Sequence, residues 1–204
     1  MPVGPEGERP VIYRNFIAGT TPRAIGVGFP GGLNLAYSAD HLAPELLWTG
    51  QFIDGNAKWV DRGTDNNPPA GENVITPSKD RFLPENARFM GYKLDAGGNP
   101  TFIVRIGQQI LRETWTATDA PDKNASARQP AIKRQLSLTG DGPPLDILLS
   151  DKIAAKHYDD QEYDFDGEFF IRTEGGGNIQ GHDGKTRLTL SANDSVTLSY
   201  RWKR

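Results

Sequence analysis

The chain contains no cysteine, which excludes disulfides, thiolate catalysis and Cys-ligated metals and leaves no CxxCH segment to attach a c-type haem. No apolar run approaches the roughly 20 residues that a membrane-spanning helix needs, so no membrane insertion is expected. The opening MPVGPEGERP has no hydrophobic signal core. Basic residues do not gather into a run and the net charge is -3, so nucleic-acid binding by phosphate neutralisation has no support. Also missing are a GxSxG nucleophile elbow and a helical HExxH pair, and no Lys-Ser/Thr follows Gly175-Gly176-Gly177 as a phosphate cradle would require.

What is present is punctuation. The chain has 23 glycines and 15 prolines in 204 residues, set between short apolar segments, a pattern that suits an all-β sandwich better than a helical bundle. Ile25, Val27 and Phe29 alternate with small residues, Pro30-Gly31-Gly32 reverses the chain, and Leu33, Leu35 and Tyr37 alternate on the return. Phe102, Val104 and Ile106 point one way, as do Ile132, Leu136 and Leu138. Asp166-Gly167 and Asp183-Gly184 carry the letters of tight hairpins, and in the last segment Val196, Leu198, Tyr200 and Trp202 share a face. HLAPELL, from His41 to Leu47, is read as a short helical turn limited by Pro44, and 61–84 as a long polar loop of the kind that carries binding. The expectation is a linker-like lead at 1–10 and one jelly-roll-like or similar β-sandwich over 11–204, built from about a dozen short strands with long polar loops.

Three stretches carry a resemblance: Tyr13-Arg14-Asn15-Phe16-Ile17, then Pro22 to Asn34 with its Pro30-Gly31-Gly32, then Trp48-x-Gly50-x-Phe52-x-Asp54 with Trp59, Arg62 and Gly63. Phe89-x-Gly91-Tyr92, Pro100-Thr101-Phe102 and Tyr200-Arg201-Trp202 extend it over most of the chain. Together they resemble a cysteine-free β-domain that lies beside the haem domain in planctomycete-type multidomain c-type cytochromes, proteins often joined to sugar-dehydrogenase-like modules. The opening suits either a cytoplasmic protein or a piece of a longer exported one; its Pro/Gly/Glu-rich letters after Met1 read as a start within a linker, and the expectation is the second, a periplasmic or extracellular setting in keeping with the resemblance. The resemblance implies no cofactor in this domain, haem only in a neighbouring domain, and carbohydrate or the adjacent haem domain as partner. It supplies no catalytic residues.

Among the residues themselves, Trp48, Trp59 and Tyr92 with Asp54 and Arg62 are the kinds that build a sugar platform, a flat ring covering the C–H face of a pyranose while charged groups bond its hydroxyls. Trp48 equally suits a core position, and Asp54 with Arg62 an ion pair tying a turn. The acidic run Asp159-Asp160-x-Glu162-x-Asp164-x-Asp166 invites a calcium reading, with Asp159 and Asp160 the candidates, but it fails the EF-hand pattern because Thr173 stands where a bidentate Glu is needed. Alternating carboxylates on the wet face of a hairpin explain the same letters. His41, His157 and His182 show no ligand spacing and read as surface residues, and a carboxylate pair for glycoside hydrolysis, such as Asp54 with Glu113, is not singled out by anything. The functional expectation is a non-catalytic accessory domain that binds carbohydrate or docks on a neighbour, with a carbohydrate-active lyase, epimerase or hydrolase, or a structural spacer, as alternatives.

Overall fold

In the computed structural model, residues 2–14, 16–55, 66–120, 129–156 and 161–203 are described. They form an all-β, sandwich-like structure of eighteen strands, without an α-helix. Three of the eighteen are two-residue pairings, and the other fifteen still exceed the dozen expected.

One layer is an eight-stranded antiparallel sheet. Its order is β13 (Ala155–Lys156), β14 (Glu162–Phe165), β15 (Phe169–Gly175), β18 (Ser195–Trp202), β11 (Gln129–Thr139), β10 (Gln109–Ala120), β9 (Pro100–Ile106) and β8 (Ala87–Leu94). The last strand of the chain is thus inserted in the middle of the sheet. A five-stranded sheet, β2 (Val11–Tyr13), β3 (Ala24–Phe29), β4 (Leu33–Ser38), β5 (Ala43–Thr49) and β7 (Glu72–Ile75), packs against it. A three-stranded sheet, β12 (Leu145–Ser150), β17 (Lys185–Leu190) and β16 (Asn178–His182), joins the same core, and β1 (Pro2–Val3) pairs with β6 (Ile53–Asp54) at the edge. The backbone of Phe82 links the two smaller sheets, its N–H donating to His41 O and its carbonyl accepting from Leu148 N, each at 3.1 Å.

The alternation read from the sequence marks the inner faces. Phe102, Val104, Leu111, Trp115, Ile132, Leu136, Leu198 and Tyr200 meet Val27, Phe29, Leu35 and Tyr37 in one shared core. The Asp166-Gly167 and Asp183-Gly184 pairs both take positive φ, as tight hairpin turns require. HLAPELL is not helical. It enters β5, because Leu47 faces the shared core while Leu46 and Trp48 belong to a second apolar cluster on the other face of the sheet.

That second cluster explains the small residues between the apolar ones in β3. Phe52 folds back over the outer face, stacked on Trp48 with ring centroids 5.7 Å apart, and the Trp48 indole N–H donates to Gln51 O at 3.0 Å and Phe52 O at 3.1 Å. A Cβ built on Gly28 would lie 2.8 Å from Phe52 Cγ, and one on Gly26 3.0 Å from Phe52 Cζ and Ile17 Cδ1. Glycine is needed there for space. Gly28→Ala is expected to destabilise the fold by about 1–3 kcal/mol through overpacking against Phe52, measured as a lower urea midpoint.

Candidate functional site

Of the five residues of the sequence-predicted platform, Trp48, Asp54 and Tyr92 are among the described residues. Trp48 is wholly buried under Phe52 and presents no face to a ligand, a correction to its candidacy as a sugar contact and the physical reason for its place in the core. Tyr92 is half-buried on β8, its ring edge-on to Phe102 at 6.0 Å and packed against the main core. Asp54 is exposed on β6. Trp59 and Arg62 lie outside the described residues, as do His157, Asp159 and Asp160.

The described part of the acidic run is structural. Glu162 is buried on the outer face of the large sheet, 2.7 Å from Arg201 Nη2 and 3.7 Å from Arg172 Nη1. Asp164 accepts the Gly167 N–H at 2.6 Å, and Asp166 occupies the turn 3.5 Å from Lys152 Nζ. Among the described residues, no group of three or more His, Asp or Glu converges to hold a metal ion. His182 is exposed beside Asp183 in its hairpin turn.

Glu113, one of the carboxylates considered for glycoside hydrolysis, has no solvent-exposed surface and is bound by Arg134, so it cannot flank a substrate opposite Asp54. Arg134 Nε donates to Glu113 Oε2 at 2.8 Å and Nη2 lies 2.6 Å from the same oxygen. Tyr37 reaches across from β4 and donates to Glu113 Oε1 at 3.1 Å, and Arg134 Nη1 donates to the Tyr200 hydroxyl at 3.3 Å. The guanidinium lies over the Trp115 ring at 5.3 Å. Burial opposes the Arg134 charge, yet Glu113 and Tyr200 outweigh it and hold the guanidinium above its usual range. Burial, with the Glu113 charge beside it, raises Tyr37 well above the ordinary phenol value, and burial raises Tyr200 as well. The pattern Ile132-x-Arg134-x-Leu136 placed Arg134 on the inner face from the start; its charge is what obscures that reading.

Three of the clefts on the surface of the described residues differ in chemistry. The first, of about 300 Å³, is lined by Arg14, Phe16, Pro22, Arg23, Ala24, Ile25, Ala39 and Phe89. Phe16 is 47% exposed, Phe89 half-buried, and Arg23 Nη1 lies 3.2 Å from Asp40 Oδ1. The cleft thus sets aromatic surface beside two guanidiniums. A second, of about 300 Å³, is polar and nearly uncharged, walled by Gln161, Thr173 and Asn178 with Gly175 and Gly177, but its aromatic, Tyr163, is only 9% exposed. The third, about 180 Å³, lies around His41, Glu45 and Lys79. Sequence reasoning missed the first because Arg14, Arg23 and Phe89 come from separate segments; the exposed aromatic in Arg14-Asn15-Phe16 was its one signal.

No family model matches the chain, and no curated protein or solved structure matches it with significant similarity. The likeness to the cytochrome-associated domain therefore rests on the quoted residues alone.

The interior cluster has a pH signature. Both buried phenols hold their protons more tightly in the folded chain, so their contribution is complete below about pH 10, the ordinary phenol value, and stability falls as pH rises beyond it because only the unfolded chain releases those protons. Urea midpoints measured across the alkaline range should show this decline, and Tyr37→Phe should flatten it while lowering neutral-pH stability by about 1–3 kcal/mol, since Glu113 Oε1 loses its donor.

Proposed function

We propose that the chain is a non-catalytic binding module whose ligand is a carbohydrate, held in the cleft of Arg14, Phe16, Arg23 and Phe89. One observation carries this reading: a half-exposed aromatic ring at the mouth of a cleft that also holds two guanidiniums. An aromatic ring covers the C–H face of a sugar, and Arg supplies forked donors for hydroxyls or a carboxylate without taking part in bond breaking. With Arg23 paired to Asp40, Arg14 leaves these groups a net positive charge, which favours a glycan that carries acidic groups. Asp40, paired with Arg23, orients one of the two forks. The accessory place beside a haem domain in an exported oxidoreductase, implied by the resemblance, is the setting in which such a module would hold the assembly near polysaccharide.

A second reading, docking on a neighbouring domain, is favoured by one feature. The edge strand β8 exposes Met90 and Leu94 at 53% and 51%, and Gly91 at φ 119° interrupts its regular pairing.

Calorimetric titration against neutral and acidic oligosaccharides separates the two readings. A saturable heat with an acidic oligosaccharide, unchanged products, and a loss of about tenfold in affinity for both Phe16→Ala and Arg14→Ala are expected, with the thermal midpoint little altered because both residues are exposed. Silence across the panel, or binding indifferent to both substitutions, removes the carbohydrate assignment from this cleft.

A further inference from the structure

The segments 21–23 and 39–41 that help line the Arg14–Phe16 cleft also contribute Thr21 and His41 to a wall of the cleft around His41. The turn between β4 and β5 fixes this histidine unusually completely. Its backbone N–H donates to Ser38 Oγ at 2.9 Å, its carbonyl accepts from Phe82 N at 3.1 Å, and its ring Nδ1 lies 2.8 Å from Glu45 Oε1. Glu45 is itself buried, and its other oxygen accepts the Thr21 N–H at 2.8 Å. The next residue, Leu42, adopts φ 58°, a left-handed conformation costly for a branched side chain and retained here while that side chain is buried in the core.

Such anchoring determines the chemistry of the ring. With Nδ1 held 2.8 Å from the buried Glu45 carboxylate, the ring is fixed in orientation and Nε2 is the nitrogen left for the cleft, the way carboxylates position functional histidines. Half-exposed His41 borders a cleft of about 180 Å³ whose other walls are Gly19, Thr20, Thr21, Thr76, Ser78 and the exposed Lys79. An imidazole and a cation thus share a small hydroxyl-lined space. We propose that His41, oriented by Glu45, and Lys79 form a second ligand site for a small hydroxy acid or sugar acid, its carboxylate on Lys79 Nζ and a hydroxyl hydrogen-bonded with His41 Nε2. The size of the cleft suits a single monosaccharide unit rather than a chain, and the site does not depend on what fills the Arg14–Phe16 cleft.

The test uses the full chain labelled with nitrogen-15 and follows the imidazole nitrogens by long-range proton–nitrogen spectra. Sodium D-galacturonate is the probe, with D-galactose and sodium acetate as controls lacking the carboxylate and the hydroxyls respectively. Galacturonate is expected to move the His41 Nε2 resonance saturably and more strongly than either control, and Lys79→Gln, an exposed substitution that leaves the turn intact, to weaken binding about tenfold. The response should persist in Arg14→Ala, which separates it from ligand held in the Arg14–Phe16 cleft. An unmoved His41 resonance, an equal response to acetate, unchanged affinity in Lys79→Gln, or loss of the response in Arg14→Ala would each overturn the proposal.

Discussion

The ion pair of Glu113 and Arg134 is the constraint on which the two layers of this structure depend. Both residues sit on the inner face of the eight-stranded sheet, in adjacent strands, and neither has exposed surface. A charge so placed is tolerated only with a close counter-charge and hydrogen bonds, and Tyr37 adds a donor to Glu113 from the opposite sheet. The contact therefore ties the layers together and also fixes register. Slipping β11 by one residue would carry Arg134 to the outer face, bring Lys133 inward and leave Glu113 buried without its cation. Ring surfaces close the cluster, with Trp115 stacked on Tyr200 at 5.8 Å and Tyr37 on Phe102 at 4.0 Å.

Around that centre, the five-stranded sheet is covered on both faces, which is uncommon for an antiparallel sheet and follows from the return of Phe52 over Gly26 and Gly28. The same return removes Trp48 from the surface. Another indole acts between the layers: Trp202 Nε1, on the last strand, donates to Asn73 O beside the edge of the smaller sheet at 2.7 Å. The Trp-x-Gly-x-Phe spacing is thus a folding device in which Trp48 and Phe52 clamp a turn through Gly50, whose N–H donates to Gly32 O at 2.8 Å.

Much of this architecture was legible because strand alternation and turn chemistry are local. Ile25, Val27 and Phe29, the Asp-Gly hairpins and the face of Val196 to Trp202 all follow from neighbours in the chain. Other features needed long-range packing to become visible. HLAPELL carries no local sign that Leu46 and Leu47 will be buried on opposite faces of a sheet, so its letters suit a helical turn equally well. Arg134 keeps the parity of its apolar neighbours but has a charge whose partner lies 21 residues away. His41 likewise looked like a surface residue, since only the folded β4–β5 turn places its ring on Glu45. The Arg14–Phe16 cleft draws on segments as distant as Phe89, whereas the Trp48 platform drew on residues that were merely close in sequence.

The β scaffold uses the buried Glu113–Arg134 charges for structure, and the proposed recognition chemistry lies in the clefts beside the β4–β5 turn. Residue-resolved amide shift mapping during titration with an acidic oligosaccharide tests that claim most directly. The account expects saturable shifts centred on Arg14, Phe16, Arg23, Ala39 and Phe89, with the amides of Glu113 and Arg134 unmoved. Shifts centred on the exposed β8 edge at Met90 and Leu94, or spread through the core, would contradict it.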